Sequence, residues 1–202
     1  MKIIATEEHF TTKEHADAVR SVIEEKYSEA AATRDEEHLK IEANWAISSD
    51  HGEAPDNQSL LGRLLDVGEG RLRQMDEAGV DMQVLTPSLV HQCTYWANPA
   101  ASLKMERLTN ERVAEVVASK PDRFIGLGGV PLQSPELAIR ELERCVKELG
   151  LKGVQVSNPV RDMELGDPRL RPFWGSPPSL VPTKKKPMIE AAMPITATTS
   201  GR

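Results

Sequence analysis

Phe124-Ile125-Gly126-Leu127-Gly128-Gly129-Val130 is an apolar run closed by Pro131 and flanked on both sides by helical spacing. Its length and composition predict a buried strand, and its glycines predict close packing or a bulge rather than a sheet edge. Upstream, Asn98-Pro99 reads as an N-cap with proline in the first turn. It opens a helix through Leu103, Leu108, Val113, Val116 and Val117 that stops at Lys120-Pro121-Asp122. Downstream, Ser134-Pro135 opens another helix, with Leu137, Ala138, Leu142, Cys145, Val146 and Leu149 on its apolar stripe and Gly150 at its end. Gly153-Val154-Gln155-Val156-Ser157 is the strand that follows.

The same alternation extends toward the amino terminus. A helical spacing from Asp66 through Leu72, Met75 and Ala78 stops at Gly79, where a left-handed cap is expected, and Met82-Gln83-Val84-Leu85-Thr86 is the next strand. Lys2 to Thr6 predicts a first strand buried on both faces. Residues 11–30 can be helical, whereas Thr33 to Leu60 is polar and aperiodic and reads as a surface excursion, a lid or an oligomer contact. Repeated strand and helix units require parallel strands with right-handed crossovers. The class is therefore α/β, and periodicity leaves a doubly wound sheet and a closed barrel both open.

The chain has 202 residues, short of the about 250 that a complete eight-stranded barrel takes. Its net charge of -6, with 28% charged and 39% hydrophobic residues, carries no basic field that would attract nucleic acid or an anionic membrane. Neither a membrane span nor a signal-peptide core is legible, so the expected location is cytoplasmic. Two cysteines, Cys93 and Cys145, make no disulfide framework and are expected to be plain thiols.

Residues 168–174 begin a short helix, and the character changes at Gly175. From there to Arg202 the chain holds five of its 14 prolines and a Lys184-Lys185-Lys186 run, with neither helical nor strand period. The expected organisation is a folded part over residues 1–174 and a disordered tail over 175–202.

Glu7 and His9 stand two apart at the end of the first strand, so their side chains are expected on one face with Glu8 on the other. A carboxylate beside an imidazole is a plausible pair of zinc or manganese ligands. The competing reading has His9 capping the next segment and Glu7 solvated. In a parallel barrel reactive residues sit at the carboxyl ends of strands, and that is where the pair falls.

Several segments together resemble the amidohydrolase-related group that holds aminocarboxymuconate-semialdehyde, dihydroxybenzoate and resorcylate decarboxylases. They are Ile4-Ala5-Thr6-Glu7-Glu8-His9-Phe10, then Arg71-x-x-x-Met75-Asp76-x-x-Gly79-Val80-Asp81-x-x-Val84-Leu85-Thr86, then Pro121-x-Arg123-Phe124-x-Gly126-x-Gly128-x-Val130-Pro131. Gly150-x-Lys152-Gly153-Val154-Gln155-Val156 and Leu165-x-Asp167-Pro168-Arg169-x-Arg171-Pro172-Phe173-Trp174 complete the likeness, in order and in spacing, over residues 1–174.

The resemblance implies a TIM-type (β/α)8 metal-dependent hydrolase barrel, present here as about its first four βα units. It implies one divalent metal ion, zinc, manganese or magnesium, with Glu7 and His9 as first-strand ligands. It also implies a further metal-binding histidine, a catalytic histidine and a late aspartate from strands beyond the midpoint. The last histidine here is His91 and the last aspartate Asp167. A frameshift, a splice difference or a gene-model error after Trp174 is the expected cause, and the chain alone is expected to hold metal weakly and to be inactive.

Thr86, His91, Trp96 and Asn158 are candidates for a substrate pocket, because each follows or ends a strand at the catalytic end; Cys93 and Tyr95 share the same loop. His15, His38 and His51 read as solvated surface residues and Cys145 as packing. The function implied is nonoxidative decarboxylation of hydroxylated aromatic or related unsaturated carboxylic acids. The alternatives are hydrolysis of a lactone or similar carbonyl and a non-catalytic fragment acting through interactions. Family members often pair through barrel surfaces, so a homo-oligomer is among the expectations.

Overall fold

The computed structural model describes residues 2–15, 17–19, 21–22, 60–87 and 94–175, with Glu7, Leu60 and Leu61 described in backbone only. The excursion over 33–59, His38, His51, His91, Cys93 and the tail from residue 176 lie outside the described residues.

Three strands, β1 (Ile4–Phe10), β2 (Met82–Pro87) and β3 (Phe124–Gly126), form one parallel sheet in the order β1-β2-β3. Between them run α1 (Leu60–Leu65), α2 (Glu69–Glu77) and the long α3 (Pro99–Ser119), with α4 (Pro135–Lys147) and the short α5 (Arg171–Trp174) following. Residues 13–15, 17–19 and 21–22 are helical, as read from the sequence. Strand, helix, strand in regular succession with all strands parallel is the architecture expected.

Local chemistry accounts for the boundaries. Gly79 takes φ +68° to end α2, and Gly150 takes φ +70° after α4, conformations that cost a glycine little. Asn98 caps α3 by accepting the Ala101 N–H at 2.9 Å, with Pro99 in the first turn. Pro135 likewise opens α4.

Phe10, Leu72, Met75, Leu85, Val113, Val116, Phe124, Cys145 and Leu151 form the core between the sheet and helices α2, α3 and α4. At roughly 1.5–3 kcal/mol for each large side chain taken out of water, this layer is the main favourable term for the fold. A second cluster, including Tyr95, Val130, Leu132, Leu170 and Phe173, fastens residues 160–174 beyond the carboxyl end of β3.

Three strands differ from expectation. β1 runs on through Glu8, His9 and Phe10, because the polar Glu8 and His9 and the apolar Phe10 pair with Leu85, Thr86 and Pro87 of β2. The register shifts between Ala5 and Glu8, which places one extra residue in β1 there. β3 stops at Gly126 instead of reaching Val130, for the Asn110 side chain captures both Gly129 backbone groups, accepting its N–H at 2.7 Å and donating to its carbonyl at 3.0 Å.

The expected strand over 153–157 is reduced to one parallel bridge, Gly128 with Val154, flanked by bonds from Lys152 N–H to Gly126 and from Gln155 N–H to Gly128. It goes no further because the Val130 carbonyl is taken by Leu132 N–H at 2.8 Å, while Ser157 N–H turns to the Tyr95 hydroxyl at 3.4 Å.

Candidate metal and substrate site

His9 and Thr86 are register partners on the adjacent strands β1 and β2, at their carboxyl ends. Paired residues of a parallel ladder project to the same side, so imidazole and hydroxyl share a face. Leu85, on the opposite face of β2, is fully buried in the core, and Glu8 beside it accepts a hydrogen bond from Gln83 Nε2 at 3.0 Å. His9 and Thr86 therefore face away from the helix layer, toward what is the inside of a closed barrel.

His9 is half-buried, and Thr86 is 1% exposed with no hydrogen-bond partner for its Oγ1. An orphaned buried hydroxyl costs about 1–3 kcal/mol, and such an atom beside an imidazole is the kind of polar group a bound ligand satisfies. The Glu7 side chain is outside the described residues. Among the described residues no three His, Cys, Asp or Glu side chains converge to hold a metal ion. Imidazole and carboxylate fit a zinc-like or manganese-like cation in donor type, and as half a coordination shell in number.

Other candidates are held differently. Trp96 packs against the Val19, Ala97 and Met105 cluster. Asn158 is exposed and organises its own turn, donating to Glu164 at 2.8 Å and accepting the Leu165 N–H at 3.2 Å. Of the four pocket candidates, Thr86 is the one the ladder pairs with His9.

His15 corrects the surface reading. It is fully buried and its Nδ1 is hydrogen-bonded to Thr109 Oγ1 on α3. Its helix packs polar residue against polar residue there, a match between distant segments that local spacing does not reveal.

Sequence reading also missed two buried carboxylates. Glu106 lies wholly buried on α3, where Thr94 donates to its Oε1 and Ser102 is bonded to Thr94 at 2.7 Å. Burial, with Glu141 nearby, pushes its acid up to about 8 against the opposing pull of Thr94, so it is largely protonated at neutral pH. Glu141 on α4, equally buried, is matched by Arg107 at 3.0 Å, Arg144 at 2.8 Å and Asn110 at 2.9 Å. Cys145 beside it is pushed up to about 12 by burial and by Glu141, which keeps it an unreactive thiol. For Glu106 the available signal was its spacing: Ser102, Met105, Glu106, Thr109, Asn110 and Val113 make a single buried stripe.

The amidohydrolase family (Amidohydro_2) matches residues 61–176, more than half of the chain. A 2-amino-3-carboxymuconate-6-semialdehyde decarboxylase of Dictyostelium discoideum is 41% identical over 104 residues, covering 52% of this chain and 29% of its own. A gamma-resorcylate decarboxylase of Polaromonas sp. is 37% identical over 145 residues, covering 69% and 44%. Among solved structures, the 5-carboxyvanillate decarboxylase of Novosphingobium aromaticivorans, complexed with manganese and 4-hydroxy-3-methoxy-5-nitrobenzoic acid, superposes with a TM-score of 0.69 at 27% identity, covering 94% of this chain and 54% of that one. The chain thus spans between under a third and about half the length of these relatives. Its parallel sheet and helices are part of a TIM-type barrel, and the chain belongs to the amidohydrolase family.

Proposed function

We propose that this chain carries the first-strand half of the active site of a metal-dependent nonoxidative decarboxylase acting on hydroxylated aromatic or related carboxylic acids. The observation that carries the reading is His9 beside the orphaned Thr86 hydroxyl, at the carboxyl ends of β1 and β2, in a chain whose relatives are decarboxylases. Glu7 and His9 would be the metal ligands and Thr86 the neighbouring hydrogen-bonding group. Manganese is favoured over zinc by the metal held in the 5-carboxyvanillate decarboxylase. A divalent cation bound there supplies the positive charge that orients the oxygens of a hydroxylated acid.

Among the described residues the site holds positioning groups, His9 and Thr86. Protonation of the carbon that loses carbon dioxide needs a general acid facing the substrate. Glu106 is protonated, but it is buried behind the sheet against Thr94 and Gly129 and is no candidate for that role.

The test is carbon dioxide release from a panel of hydroxybenzoates, run together with manganese titration of the chain and of His9→Ala. Weak manganese binding that His9→Ala removes, without carbon dioxide release, is expected. Manganese affinity unchanged in His9→Ala would refute the assignment of the ligand.

A further inference from the structure

Arg71 opens the Arg71-x-x-x-Met75-Asp76 motif on α2, and the site as described leaves it without a role. The residue is only 8% exposed, and each bond its guanidinium makes is to a backbone carbonyl. Nε donates to Asp66 O at 2.7 Å, while Nη2 donates to His9 O at 2.8 Å and to Arg63 O at 2.9 Å. These carbonyls belong to three segments: the end of β1, the last turn of α1 and the link from α1 to α2.

Burial disfavours the charge, the nearby Glu8 and Asp66 carboxylates offset this only in part, and a lysine has no planar fork to span such a set of carbonyls. The strand end that Arg71 grips needs holding. Among the described residues β1 pairs with β2 alone, and its register is interrupted between Ala5 and Glu8. Beyond the ladder, the next tie is Thr11 N–H to Leu64 O at 3.0 Å, on the same α1 turn.

We propose that Arg71 is a positioning residue for the metal centre: by gripping the His9 carbonyl it sets where the end of β1 lies and so where the His9 imidazole is presented, beside Thr86. This rests on the reading of His9 as a metal ligand. Groups that orient ligands in this way are worth about 10–100-fold in metal affinity.

The experiment uses the full chain and two variants, Arg71→Lys and His9→Ala. Metal-free amide exchange is followed at Thr11, with Gln83 and Leu127 of the β2–β3 ladder as internal references, and manganese affinity is measured by titration. Arg71→Lys is expected to speed exchange at Thr11 about tenfold while Gln83 and Leu127 hold, and to weaken manganese binding by about tenfold. Unchanged exchange at Thr11, or equal acceleration at all three amides, overturns the positioning role. So does Arg71→Lys with normal manganese affinity when His9→Ala has lost it, and in that case the metal reading stands. Normal manganese affinity in His9→Ala sinks both.

Discussion

Glu106 illustrates how a single side chain inverts its ordinary chemistry. A carboxyl group buried behind the sheet, with a hydroxyl donor at Oε1 and none at Oε2, favours its neutral form. Its folded value of about 8 stands above the ordinary 4.5, so the folded chain binds a proton that the unfolded chain has released. Stability from this group is therefore full below about pH 4.5 and declines as pH rises toward 8, by on the order of 5 kcal/mol in total. Glu106→Gln should flatten that decline, measured as urea midpoints of the two chains across this range; parallel curves would contradict the assignment. Cys145 is the companion case. Held as a buried thiol, it should resist alkylation in the folded chain and react only on unfolding, as mass spectrometry of the labelled peptide would record.

At the scale of elements, the decisive contact is α3 against the end of β3. A Cβ at Gly129 would stand 1.9 Å from Glu106 Oε2, and one at Gly128 would stand 2.6 Å from Asn110 Oδ1 and 2.9 Å from Cys145 Sγ. The glycines let the helix approach until Asn110 can bond the strand backbone and Glu141 together. Gly129→Ala should cost about 2–3 kcal/mol, because the obstructing carboxyl is enclosed and has nowhere to swing. A denaturant midpoint within error of the parent chain would show that the helix can retreat without loss.

For the whole molecule, the controlling fact is that the sheet and the candidate metal site are both partial. β1 and β2 bring one imidazole and one hydroxyl to a shared face, and among the described residues no three His, Cys, Asp or Glu side chains converge to hold an ion. If the manganese dissociation constant is about 1 mM or weaker, stabilisation at about 1 mM manganese is no more than ~0.4 kcal/mol. A thermal midpoint nearly independent of manganese and of chelator is the expected result. A rise of ten degrees or more would mean that the chain closes the coordination shell by itself.

Sequence alone determined the order of strands and helices, the caps at Gly79, Asn98 and Gly150, and the pairing of Glu7-x-His9 with a strand end, because these follow from local periodicity and turn chemistry. It could not show how far β1 extends, since that depends on Glu8 and His9 finding partners 77 positions away in β2. Nor could it show that β3 ends early, where a helix side chain competes for the Gly129 backbone. The partners that bury His15, Glu106 and Glu141 were equally out of reach. A polar residue on a helix reads as solvated until its partner is known, and Thr109, Thr94 and Arg107 are brought to these three by tertiary packing. Only the folded chain could show that Arg71 reaches the His9 carbonyl, because that contact joins a side chain to a backbone oxygen 62 residues away, and a carbonyl carries no side-chain signature.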